Sequence, residues 1–136
     1  ELAQEKGLEL IITDGPPGVG CPVIAAIGGA TSALIVAEPT VSGIHDMQRA
    51  IELCGHFKVP VMVCINKYDL NLENSANIEA LAREGGLPVV GRVPFDPVFT
   101  HAMVKGQTVL EYDGSGAAGE HLRRVWASIM ETEAMA

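Results

Sequence analysis

Aromatic side chains are scarce: one Trp, two Tyr and three Phe in 136 residues. A core built on packed rings is therefore excluded, and Val, Ile, Leu and Ala must fill the interior. Cations are also few. Nine Lys and Arg stand against 17 Asp and Glu, for a net charge of −8, and Arg123-Arg124 is the sole adjacent basic pair. Binding through a basic face, whether to nucleic acid or to anionic lipid, is excluded on that ground. No apolar run reaches the ~18–20 residues of a membrane span. The opening residues Glu1-Leu2-Ala3-Gln4-Glu5-Lys6 do not read as a signal peptide. Three cysteines (Cys21, Cys54, Cys64), an odd number without a C-x-x-C pair, argue against a disulfide framework and leave a reducing cytoplasm as the expected location.

What is present is aliphatic and regularly interrupted. Apolar residues make up 48% of the chain, enough for a core, and the 15 glycines and 8 prolines are dispersed rather than gathered into a low-complexity tract. Length and continuity imply one domain over residues 1–136. Residues 2–6 read as the end of a helix stopped by Gly7. Four short apolar runs, at about 8–13, 33–37, 61–65 and 89–93, have the continuous character of strands buried on both faces. Between them lie helical patterns: 22–27 with Pro22 in its first turn, Ser42 (as N-cap) to about His56, and a helix capped by Asn74 or Ser75 and stopped at Gly85-Gly86. A brief helix is expected near 97–104, an extended edge element over Val109–Tyr112, and an amphipathic helix over 117–132 carrying Leu122, Val125, Trp126, Ile129 and Met130 inward. Strand–helix alternation of this kind predicts an α/β fold, three-layered, with a mainly parallel sheet and helices on both faces.

The first run ends in Thr13-Asp14-Gly15-Pro16-Pro17-Gly18, which cannot continue a strand. Ligands of open α/β sheets bind outside the carboxyl ends of strands. A carboxylate there suits a magnesium ion, and a glycine N–H can approach a phosphate closely. The plain alternative is a solvated Asp beside a Pro-Gly turn. Two further strand ends are punctuated, by Asn66-Lys67-Tyr68-Asp69 and by Pro94-Phe95-Asp96.

With Glu38-Pro39-Thr40-Val41-Ser42-Gly43 after the second run, these segments closely resemble the second half of the MinD/ParA/Mrp-type deviant-Walker P-loop ATPases, and among them the MinD-like ATPases that carry an inserted ferredoxin domain. The resemblance implies a partial P-loop NTPase fold. It departs from the family in one respect: no G-x-x-x-x-G-K-[ST] loop occurs in the 136 residues, and Gly28-Gly29-Ala30-Thr31-Ser32 lacks the lysine. In the family that loop lies upstream, on a strand standing between the one ending at Asp14 and the one at 33–37. The chain therefore reads as the C-terminal portion of such a domain. Oligomerisation or a rearranged sheet is expected if nothing fills that gap.

The resemblance also carries roles. Asp14 matches the switch aspartate that holds Mg2+ through water, and Gly18 the glycine whose N–H meets the γ-phosphate, with Pro17 beside it. Asn66 matches the base-contacting asparagine. Pro94, Phe95 and Asp96 match the segment flanking the base, where Phe95 is expected to pack rather than stack. Asp69 has two readings: Asn-Lys-x-Asp is also a guanine-reading pattern, so the resemblance favours ATP with GTP open, and capping of the next helix is the equal alternative. Cys21 lies at an offset from Asp14 similar to that of a cluster-ligating cysteine in a distant relative of this fold; the resemblance thereby offers a subunit-bridging iron–sulfur cluster that needs a second ligand upstream, where the family's inserted cluster-binding domain also lies, against the plain alternative of an inert lone thiol. Cys54 and Cys64 read as packing, and the four histidines show no metal spacing. The function implied is the nucleotide-switch and base-binding half of an ATPase that works with Mg2+ and ATP, dimerises around nucleotide and serves a redox or protein client, in iron–sulfur or in assembly and positioning work. The alternative is a non-catalytic α/β binding or dimerisation module.

Overall fold

The computed structural model describes residues 5–18 and 20–135. Of the helix expected at 2–6, residues 2–4 lie outside the described residues, as does Val19 in the loop after Asp14. The described elements are α1 (Cys21–Ile27), β1 (Ala33–Ala37), α2 (Val41–His56), β2 (Val61–Asn66), a 3-10 turn (Tyr68–Leu70), α3 (Leu72–Glu84), β3 (Val89–Val93), α4 (Val98–Val104), α5 (Val109–Asp113) and α6 (Ala117–Met135). The three strands form one parallel sheet in the order β1-β2-β3. Parallel pairing needs a crossover between consecutive strands, and α2 and α3 supply these.

Alternation along β2 divides the interior. Val61, Val63 and Ile65 face one way and join Met47 and Cys54 of α2, Ile78 and Ala82 of α3, and Ile27 of α1. Met62 and Cys64 face the other way, with Val90 and Val93 of β3 and Val125 of α6. Helices thus cover both faces of the sheet, as its apolar strands require. Gly91 lets α6 come close, since a Cβ there would lie 2.6 Å from Val125 Cγ2. The ladder shifts register at the same place, where Val63 pairs with Val89 but Cys64 with Gly91. That shift is a bulge and leaves Val90 as the extra residue.

Several expectations need correction. Residues 8–13 do not form a strand: Leu10, Ile11 and Ile12 are exposed, Ile12 to 75%. A strand exists only through its ladder partners. The resembling family places a further strand between this segment and β1, and the described residues supply none, so the backbone groups of 8–13 face water. β1 is correspondingly an edge, with Leu34 and Val36 exposed on the same sheet face as Met62 and Cys64, beyond the part that α6 covers. Val109–Asp113 is helical, not extended. Thr108 Oγ1 accepts from the Glu111 N–H, and the Glu111 carboxylate accepts from the Thr108 N–H, a reciprocal capping box. Thr40 rather than Ser42 caps α2, and Asn71 rather than Asn74 or Ser75 caps α3. Trp126 is 45% exposed and Met130 46%, because α6 packs on β3 by its Leu122–Val125–Ile129 stripe alone. No helix among the described residues is long and apolar enough to cross a membrane.

Candidate functional site

Because the sheet is parallel and nearly in register, its three carboxyl ends share one edge: Ala37 pairs with Ile65, and Asn66 with Val93. The chain leaves that edge as Glu38-Pro39-Thr40, Lys67-Tyr68-Asp69 and Pro94-Phe95-Asp96. These exits are tied together. Lys67 Nζ donates to Glu38 Oε1 at 2.6 Å, joining the loops after β1 and β2. Asn74 Nδ2 donates to the Pro39 carbonyl at 3.1 Å, and buried Ser75 donates to the Tyr68 carbonyl at 2.7 Å. Lys67 itself has φ 53° and ψ 40°. A left-handed conformation at a residue with a Cβ persists only where its surroundings hold it.

Between the second and third exits lies a cleft of about 200 Å³ lined by Asn66, Lys67, Pro94, Phe95, Asp96, Phe99 and Thr100. Whole small-molecule sites usually run to ~300–1,000 Å³, so this volume suits one ring system of a larger ligand. Asp69 stands behind it and accepts the Phe95 N–H at 2.7 Å, while Asp96 Oδ1 accepts the Val98 N–H at 2.9 Å and starts α4. The Asn66 side-chain amide is half-buried and has no protein partner among the described residues. Phe95, expected to pack, is 51% exposed, and Phe99 is the ring that joins the core. A wider depression at the amino end of β3, lined by Glu79, Arg83, Leu87 and Val89, lies away from the punctuated edge.

The structure thus gathers Asn66, Pro94, Phe95 and Asp96 at one cleft with Asp69 next to it. It does not bring Asp14, Pro17, Gly18 or Cys21 there. Among the described residues no hydrogen bond joins 8–18 to the sheet, and Asp14 is exposed. Gly18 has φ 94°, a conformation natural to glycine. As a magnesium donor set Asp14 stands alone, since the described residues hold no group of three His, Cys, Asp or Glu side chains. A single carboxylate fits a magnesium ion that keeps most of its waters and takes phosphate oxygens, not an all-protein cage. The described residues do not by themselves complete an iron–sulfur ligand set: Cys21 is an isolated exposed thiol, and Cys54 and Cys64 are buried. Burial pushes the Cys64 thiol up to about 11 and raises that of Cys54, so neither offers the thiolate a cluster needs. Reading the sequence missed Phe99 and Thr100, which carry no motif and reach the cleft only because α4 turns back beside it. It also missed the Glu38–Lys67 tie.

A parallel sheet flanked by helices, with its polar groups collected outside the strand ends, defines an open α/β domain. Residues 3–130 match the family model described as ParA: NUBPL iron-transfer P-loop NTPase, and the chain belongs to that family. It is 30% identical over 129 residues to an uncharacterised protein of Methanocaldococcus jannaschii, covering 95% of this chain and 42% of that protein. It is 26% identical to the cytosolic Fe-S cluster assembly factor NUBP2 of Rattus norvegicus over 76% of this chain and 44% of that one. Its fold is shared with the septum site-determining protein MinD of Pyrococcus horikoshii, a structure complexed with Mg-ADP, at a TM-score of 0.68, 20% identity, and coverage of 82% and 46%. The chain spans less than half the length of these proteins.

Proposed function

We propose that the chain is the switch and base-binding portion of an ATPase, incomplete without a phosphate-binding loop supplied from outside these 136 residues. The observation that carries this reading is the cleft at the shared strand edge, where the unengaged Asn66 amide meets the Pro94-Phe95-Asp96 exit. A side-chain amide offers a donor and an acceptor side by side, the complement of the adenine N6/N7 edge. Pro94 and Phe95 flank the ring and keep water from it. Asp14 orients water around a bound magnesium ion, and the Gly18 N–H donates to the terminal phosphate. The magnesium ion supplies neutralisation of phosphate charge as it develops during transfer. Contact between Gly18 and a terminal phosphate that is later lost makes the stretch from Gly15 onward a switch. The MinD structure with Mg-ADP and the family's NTPase character support the choice of ligand. The family's iron-transfer description and the likeness to NUBP2 support work in cytosolic iron–sulfur assembly.

The test is on the full-length protein. Asn66→Ala should weaken Mg-ATP binding about tenfold, the loss of one bidentate contact worth ~1–3 kcal/mol. Asp14→Ala should abolish hydrolysis and leave binding measurable. Undiminished turnover in Asp14→Ala removes that residue from the mechanism.

The uncovered face and open edge of β1 favour a second reading, a docking module without its own nucleotide site. Titration of the isolated 136-residue chain with Mg-ATP separates the two when set beside the full-length protein: a module binds nucleotide in neither form.

A further inference from the structure

The sequence leaves Asp69 with two incompatible uses. As a reader of guanine it must turn both carboxylate oxygens toward the base, one for the ring N1–H and one for the exocyclic amine. As a structural group it needs only a local donor.

The geometry points to the second use: we propose that Asp69 is a positioning residue that clips the Pro94-Phe95-Asp96 exit beside Asn66 and reads no base itself. The proposal rests on the reading of the cleft as the base site. Two observations carry it. Asp69 Oδ1 accepts the Phe95 N–H at 2.7 Å across 26 residues of sequence, the short distance typical of a charged acceptor. Asp69 is also absent from the cleft lining, whereas Asn66, Lys67, Pro94, Phe95 and Asp96 are all in it. The carboxylate is thus engaged by the main chain of the exit that forms the cleft wall.

Asp96, which does line the cleft, has Oδ1 on the Val98 N–H, and Lys67, the other charge there, is paired with Glu38. The neutral Asn66 amide offers a donor and an acceptor side by side, which suits adenine N6/N7.

Asp69→Asn and Asp69→Ala test this in the full-length protein, with ATP, GTP and xanthosine triphosphate titrated separately and amide exchange followed at Phe95. Asparagine keeps an Oδ1 acceptor, so Asp69→Asn should hold the ATP dissociation constant within about twofold and keep the Phe95 amide protected. Asp69→Ala should weaken ATP binding about tenfold and release that amide to exchange. A gain of xanthosine triphosphate binding with loss of GTP binding in Asp69→Asn would show that the side chain faces the base, and overturns the proposal. Equal Phe95 exchange in all three proteins overturns the clip. A wild type that binds no nucleotide defeats the base-site reading, whereas the exchange measurement still decides the clip.

Discussion

Lys67 Nζ lies 2.6 Å from Glu38 Oε1, and this pair spans the exits of two adjacent parallel strands. Both side chains remain more than a third exposed, so the pair contributes only ~0.2–1 kcal/mol. Its importance is geometric: it holds a residue with φ 53° directly after the asparagine of the candidate base site.

This separates two substitutions at one position. Lys67→Ala and Lys67→Gly both lose the ion pair, but only alanine keeps a Cβ in the left-handed region, at ~1–2 kcal/mol. Glycine regains part of this as extra freedom of the unfolded chain. Lys67→Gly should therefore be the more stable of the two by about 1 kcal/mol, read from urea midpoints at equal slope. Equal midpoints would show that the loop relaxes around alanine.

Gly91 meets α6 with no room for a side chain. Gly91→Ala should cost ~1–3 kcal/mol through overpacking against Val125. Combining it with Val125→Ala should cost less than the sum of the two single changes, because each relieves the same collision. Additive losses in the double-mutant cycle would place the strain elsewhere.

The three thiols should differ sharply. Cys21 is exposed, whereas Cys54 and Cys64 are buried with raised pKa, Cys64 to about 11. Only the thiolate attacks alkylating agents. Brief iodoacetamide treatment of native protein near pH 8, mapped by mass spectrometry, should label Cys21 and spare the other two until denaturant is added. Early labelling of Cys64 would mean that the β2–α6 interface opens readily.

Glu111 closes the capping box of α5, and the Thr108 N–H followed by the Thr108 hydroxyl holds its carboxyl below the usual carboxylate value. A folded-state pKa that is lowered adds stability above the unfolded-state pKa, and this is lost as pH falls through the lowered value. Acid titration of stability below about pH 4.3 should therefore fall less steeply in Glu111→Gln, whose amide still fits the box without titrating. Identical acid profiles would remove this contribution.

The aliphatic runs at 33–37, 61–65 and 89–93 were readable as strands because each is short, continuous and cut off by Pro, Gly or polar residues. Burial on both faces leaves that mark in any sequence. Val109–Asp113 was legible in principle. Thr108 and Glu111 stand at capping-box spacing, but β-branched Val109 and aromatic Tyr112 suggest an extended segment, and the box outweighs them. Trp126 was misplaced because helical spacing marks an apolar stripe without saying how much of it a neighbour covers.

The local chemistry of this protein was determined by its sequence alone: which runs pair, where the chain breaks, and which polar residues end up at the breaks. A strand's alternation, a proline's missing donor and a glycine's freedom are properties of a few neighbouring residues. Tertiary structure decided what depends on distant partners. It left 8–13 outside the sheet, since an apolar run becomes a strand only when another strand offers it a ladder. It also turned Asp69 from the cleft to the Phe95 amide, a donor 26 positions away that local spacing cannot reveal.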